Sequence, residues 1–168
     1  MIVGIDSGKK GGVALLEEHT HTFLRTPLLG PKGDEDVPAM ADILRGWRDE
    51  LAIERRAPPT VVIEALARGA GKSTWTAASV SGRVWGEWVG IIQTLGLPLV
   101  VVRAQDWQRE MLKGETRKTY ADRKAASLKV AGRLFPTFAP LASVKANDGI
   151  SDALLIAEYH RRMNVRKP

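Results

Sequence analysis

Two short runs, TVVIE at residues 60–64 and LPLVVV at residues 97–102, are apolar and rich in β-branched side chains, and a long, sparsely charged segment separates them. Runs of this kind, with no polar alternation, belong in the middle of a sheet that helices cover on both faces. The opening MIVGIDSGKKGGVALLEE supplies more of the sheet. Ile2 to Asp6 and Val13 to Leu16 flank a Gly-rich turn at residues 7–12, the pattern of a β-hairpin. HTHTFLRTP reads as a third strand, stopped by Pro27. Val37, Met40, Ile43, Leu44, Trp47 and Leu51 recur at helical spacing, and Pro58-Pro59 closes that helix. Further helices are expected at 75–95, within AQDWQREMLK at 104–113, at 120–134 and at 147–163, before a basic tail at 163–168. The expected fold is α/β: a five-stranded mixed sheet flanked by helices, in a single domain over residues 1–168.

A chain of 168 residues suits one domain with a hydrophobic core. No apolar run approaches the roughly 18 residues needed to span a bilayer. The strand-like run beginning at Ile2 leaves no room for a signal or transit peptide, so a cytoplasmic protein without membrane partners is expected. The absence of cysteine excludes disulfides and thiolate metal sites. The net charge of +6 is unevenly spread. Residues 34–56 hold seven acidic and four basic side chains, whereas residues 103–133 hold nine basic and four acidic ones. That asymmetry suggests a polyanion-binding face; its plainer reading is a surplus of solvated lysine and arginine.

The segment ARGAGKST after TVVIE looks at first like a phosphate-binding P-loop. That loop requires Gly, four residues, then Gly-Lys-Ser/Thr, and its first glycine would fall on Leu66. A side chain there obstructs the wrap of backbone amides around phosphates, so no nucleotide cofactor is expected. The segment is better read as a basic loop beside Glu64, in which Arg68 and Lys72 can reach phosphates.

Four acids stand where structural economy would not put them. Asp6 closes IVGI, Glu64 closes TVVI, and Asp148 and Asp152 lie one helical turn apart. A carboxylate at the end of a buried strand costs several kcal/mol unless it is paired, hydrogen-bonded or metal-bound. Each has a local alternative: Asp6 can accept amides of its turn, and Asp148 or Asp152 can favour a helix N-terminus. Together they suit hard-cation chemistry with Mg²⁺ or Mn²⁺. Two such ions about 4 Å apart activate a water and stabilise the leaving oxygen of a phosphodiester.

IVGIDSGKKGGVALL, VVIEA and NDGISDALLIAEYHRR, with AQDWQREMLKG and DRKAASLKVAGRLFP between them, resemble RuvC-type Holliday junction resolvases over residues 2 to about 162. The likeness is strongest to compact phage, prophage and plastid members. It implies an RNase H-like (retroviral-integrase-like) fold and a homodimer that nicks a four-way DNA junction symmetrically, leaving 5′-phosphate ends. It implies Asp6, Glu64, Asp148 and Asp152 as ligands of Mg²⁺ (with Mn²⁺ as substitute), two ions per site, and Lys124 as a catalytic contact to the DNA backbone, with Lys118 a second candidate. In the third ligand position Asn147 competes with Asp148. Bacterial members carry an aromatic shortly after the strand-four Glu, where this chain has Leu66, Ala67 and Arg68; Trp75 is the nearest replacement.

Lys113, Arg117, Lys118, Arg123, Lys124 and Lys129 are the candidate phosphate contacts in the basic half, with Arg68 and Lys72 before it. His19, His21 and His160 show no metal spacing and read as surface residues. Ala78, Gly82, Gly86 and Gly90 form a ridge four residues apart, although helical glycine costs roughly 1 kcal/mol. The ridge suits either packing on the chain's own sheet or a neighbouring helix, or a dimer interface anchored by Trp85 and Trp88. The hairpin GIDSGKKGG also resembles a phosphate loop of actin-like ATPases, which need a second lobe that this length does not offer. A broader nuclease that debranches forks and flaps is the nearer alternative; a junction-binding protein without catalysis is a further one, and it gives no reason for the four acids.

Overall fold

The computed structural model describes residues 1–8, 10–18, 20–31, 33–66 and 75–165. Its elements are β1 (Ile2–Asp6), β2 (Gly12–Leu16), β3 (His21–Arg25), α1 (Val37–Ile53), β4 (Thr60–Glu64), α2 (Trp75–Thr94), β5 (Leu99–Val102), α3 (Ala104–Met111), α4 (Tyr120–Leu134) and α5 (Asp148–Val165). Two short 3-10 turns, Ala139–Leu141 and Lys145–Asn147, lie between α4 and α5. The strands make one sheet in the order β3-β2-β1-β4-β5. β1, β2 and β3 pair antiparallel, while β1, β4 and β5 pair parallel.

Alternation along the strands divides the core into two layers. Val3, Ile5, Val13, Leu15, Val61 and Ile63 pack with Met40 and Leu44 of α1 and with Val84, Trp88 and Ile92 of α2. Ala14, Leu16 and Val62 face the other way, against α3, α4 and α5. α5 lies directly on β1 and β2 because glycines remove the obstruction. A Cβ on Gly4 would collide with the backbone carbonyl of Ala153, and one on Gly12 would stand 2.8 Å from the Ile150 Cα. That close seating sets the first turns of α5 beside the end of β1.

Three expectations need correction. β5 is an edge strand, not a central one: it pairs with β4 alone, and Val101 is 49% exposed. Its run is apolar because Leu99 packs on one layer while Val100 and Val102 pack on the other. The glycine ridge of α2 does not serve close packing within the chain at Gly86 or Gly90, where a Cβ would meet nothing within 4 Å; at Gly82 it would only touch Leu66 Cδ2, at 3.9 Å. Trp88 is wholly buried in the core, and the Trp85 indole donates to the Glu64 carbonyl at 3.0 Å, so neither stands out as an interface anchor. His21 is only partly exposed; it stacks on Phe23, meets Phe135 edge-on and hydrogen-bonds Thr137, and burial lowers its pKa. His19 lies outside the described residues.

Candidate active site

The parallel register sets the first two acids. Ile5 of β1 pairs with Ile63 of β4, so Asp6 and Glu64 follow side by side at the carboxyl ends of adjacent strands. By alternation both fall on the side of Gly4 and Val62, the face that α3, α4 and α5 cover. Strand carboxyl ends are where open α/β sheets carry ligands. Asp152, one turn into α5, is buried next to them.

Neighbouring elements fix each carboxylate. The Gly8 amide donates to Asp6 Oδ1 at 3.2 Å, as the turn reading expects. Trp107 Nε1, from α3, donates to Glu64 Oε2 at 2.7 Å. The Ser127 hydroxyl of α4 donates to Asp152 Oδ1, and Ser127 Oγ lies 3.1 Å from Ser151 Oγ. Lys124 is one turn before Ser127, and its Nζ stands 3.0 Å from Asp148 Oδ2 and 3.2 Å from Asp152 Oδ2. α4 is held in place at its start by a reciprocal capping box: Thr119 accepts from the Asp122 amide at 3.1 Å, and Asp122 accepts from the Thr119 amide at 2.8 Å.

The electrostatics are those of carboxylates crowded together out of water. Desolvation, then repulsion from Asp152, raises the Asp6 pKa to about 7, with Lys124 opposing. Glu64 is raised mainly by desolvation, against the Trp107 hydrogen bond. Asp152 is raised by desolvation although Lys124 and Ser127 pull it down. Burial alone would lower the Lys124 pKa, but Asp152, Asp6 and Asp148 outweigh it and hold the ammonium well above the ordinary lysine range. One lysine therefore faces four acids.

That donor set suits a hard divalent cation in both chemistry and charge. As placed, no three acidic or histidine side chains among the described residues converge closely enough to ligate one ion. The Lys124 ammonium bridges Asp148 and Asp152 instead.

Asp6, Glu64, Asp152, Trp107, Arg123 and Lys124 line one cavity of about 200 Å³. Asp148 lines two adjoining depressions instead, one shared with Tyr120, Lys124, Lys129 and Lys145, the other with Lys10, Arg25 and Lys145. Asn147 is buried and committed: its Oδ1 accepts from Arg25 at 2.6 Å, and its Nδ2 donates to the Leu141 carbonyl at 3.0 Å. Of the expected phosphate contacts, Arg123 and Lys124 reach the site; Lys113, Arg117 and Lys118 are exposed, with Arg117 donating to the Gln108 carbonyl at 3.0 Å. Arg68, Lys72 and the Trp75 side chain lie outside the described residues. Sequence reasoning missed Trp107, Ser127, Lys10, Arg25 and Lys145. The one available signal was Ser127, a polar residue three positions after Lys124 and flanked by Ala126 and Leu128.

A mixed five-stranded sheet with three antiparallel strands, two more parallel to its centre and acids at the central strand ends defines the RNase H-like class of fold. Among solved structures, the chain is similar to that described as "T. thermophilus RuvC in complex with Holliday junction substrate". The two are 16% identical with a TM-score of 0.50, covering 97% of this chain and 95% of that one. A second, "Thermus thermophilus RuvC structure", is also 16% identical, with a TM-score of 0.49 and coverage of 97% and 96%. The fold expected from the resemblance is thus the fold observed. No protein-family model matches the chain, and no curated protein does.

Proposed function

We propose that this protein is a structure-selective, divalent-metal-dependent endonuclease that resolves four-way DNA junctions by paired symmetric nicks. The observation that carries the reading is that Asp6, Glu64 and Asp152 share one cavity with Lys124 and Arg123, at the carboxyl ends of the central strands. Junction DNA as the substrate follows from the likeness of fold and motifs to RuvC, and from the basic side chains around the cavity.

Asp6, Glu64 and Asp152, with Asp148 as the fourth candidate, would hold Mg²⁺ or Mn²⁺, two ions per site. Asn147 is the weaker candidate because both ends of its amide already have partners. Cations held there would supply activation of the attacking water and stabilisation of the departing 3′ oxygen, which would leave a 5′-phosphate. The protein's part is orientation. Trp107 fixes the Glu64 carboxylate, Ser127 fixes that of Asp152, and the turn amide of Gly8 fixes Asp6. Lys124, already held as an ammonium, offers positive charge to the phosphate as negative charge develops. Arg123 and the exposed Lys113, Arg117 and Lys118 add backbone affinity that falls with salt, and Arg68 and Lys72 would extend that surface.

Paired cuts require two sites, hence a homodimer. The exposed groove of about 300 Å³ between α1 and α2, lined by Val37, Ala41, Gly86, Gly90 and Ile91, is the surface we assign to the second copy. The absence of side chains at Gly86 and Gly90 admits close approach there.

The test separates cutting from binding. Asp6→Asn, Glu64→Gln and Asp152→Asn should each lower junction cutting by more than about a hundredfold. Junction affinity in a gel-shift assay should stay near the wild-type value, because these side chains repel phosphate rather than hold it. Parallel loss of binding in a folded variant would argue against a catalytic role.

A further inference from the structure

The acid cavity has an unassigned neighbour. A groove of about 490 Å³ lies between α4 and the segment 142–148, and Tyr120 and Lys124 line both spaces. Its volume is that of sites for small organic ligands, roughly 300–1,000 Å³. Its walls include Ala125, Leu128 and Ala142, while the exposed Lys129 and Lys145 put positive charge at its edge. Lys129 is also paired with Glu115 at 2.8 Å.

Tyr120 is the one exposed aromatic side chain among the described residues, at 68%. It is the first residue of α4, so the Thr119–Asp122 capping box fixes its backbone. Arg123 Cζ lies 5.9 Å and Lys124 Nζ 5.6 Å from the ring centre. A flat ring left in water beside two cations, between a carboxylate cavity and an apolar groove, is an arrangement for stacking a base whose phosphate is bound alongside. Apolar walls favour a planar base over the sugar–phosphate chain, and the lysines at the edge complement the phosphates that flank it.

We propose that this groove seats an unstacked nucleobase of the branched DNA, with Tyr120 as its stacking platform, so that the nucleotide beside the cut phosphodiester is held out of the helix. The inference rests on the nuclease reading above and adds a positioning residue to it. Extruding a base is least costly where the helix is already interrupted, as at a branch point, so a base seat would itself favour branched over linear DNA.

The experiment uses full-length protein carrying Asp6→Asn to hold the complex uncut, on four-way junctions with 5-iodouracil placed in turn at each position around the cut. Photocrosslinking followed by peptide mass spectrometry should attach one such nucleotide to Tyr120. In the otherwise wild-type protein, Tyr120→Ala should weaken junction binding by roughly ten- to a hundredfold. Tyr120→Phe and Tyr120→Trp should retain binding, and an abasic residue at the crosslinking position should erase the difference between wild type and Tyr120→Ala. No crosslink at Tyr120, or an unchanged Tyr120→Ala, overturns the base seat while leaving the nuclease reading intact. No preference of the wild type for branched DNA over duplex overturns both.

Discussion

At the scale of the residue, Asp6 is the group whose environment is most at odds with its charge. Its pKa is raised from 3.8 to about 7 by desolvation and by neighbouring acids. In protein stripped of divalent cations, the folded state therefore keeps a proton that the unfolded chain releases above pH 4. The stability from this group is complete below 3.8 and lost as pH rises through about 7. The melting temperature of metal-free protein should fall between pH 4 and pH 7, and Asp6→Asn should flatten that decline; a wild-type melting temperature that rises over the window would contradict it. Ser127 makes a second test. Ser127→Ala removes a hydrogen bond to Asp152 with little change of volume, so cutting should fall roughly 10–100-fold while the fold melts cooperatively. Unchanged cutting would make Ser127 a packing residue only. Asp6 and Glu64 were legible in the sequence because each breaks an apolar run at its last position. Trp107 was not, because an indole among helical apolar residues looks like core until its partner is known, and Ser127 showed only as a polar residue between Ala126 and Leu128, with nothing to name its partner.

At the scale of the element, the site depends on how closely α5 approaches the sheet. Gly4 and Gly12 admit it, and the Gly11–Gly149 bridge continues the contact. Gly4→Ala would push a methyl against backbone that cannot move aside as a side chain can. It should destabilise the protein by about 3 kcal/mol, the upper end of overpacking costs, in urea denaturation, with cutting lost even where the fold survives. A variant as stable as wild type would mean that the helix does not sit where it is described. Helix and strand positions were largely readable from the sequence: α1 is found where its apolar spacing puts it, the helix at 120–134 has the expected bounds, and α5 starts one residue later than expected and runs two residues further. The place of β5 was not readable. Apolar composition reports that a strand has apolar neighbours, and it carries no information about whether a further strand lies alongside. The place of Trp88 stayed open between core and interface for a related reason, since helical spacing alone does not tell which face of α2 meets the sheet, and the structure puts it in the core.

At the scale of the molecule, the two halves of the charge pattern have separate destinations. The basic residues of α4, with Lys10, Arg25 and Lys145, surround the acids, whereas the acid-rich 34–56 segment forms α1 and its approach on the opposite face of the sheet. The sequence revealed the bias but not Lys10, Arg25 or Lys145, which lie far apart in the chain and meet only because α5 brings the segment before it onto the β1–β2 turn. No helix among the described residues is long and apolar enough to cross a membrane.

The most direct measurement uses end-labelled four-way junctions with a mobile core, beside linear duplex and a replication fork of the same sequence. Each is incubated with the protein and Mg²⁺, with and without EDTA, and the products are mapped to the nucleotide. The expected products are symmetric nicks in opposing strands, confined to the junction, bearing 5′-phosphates and abolished by EDTA. Equal cutting of forks and junctions would make the protein a broader debranching nuclease on the same fold. Junction binding with no cutting in either Mg²⁺ or Mn²⁺ would contradict the assignment of the four acids.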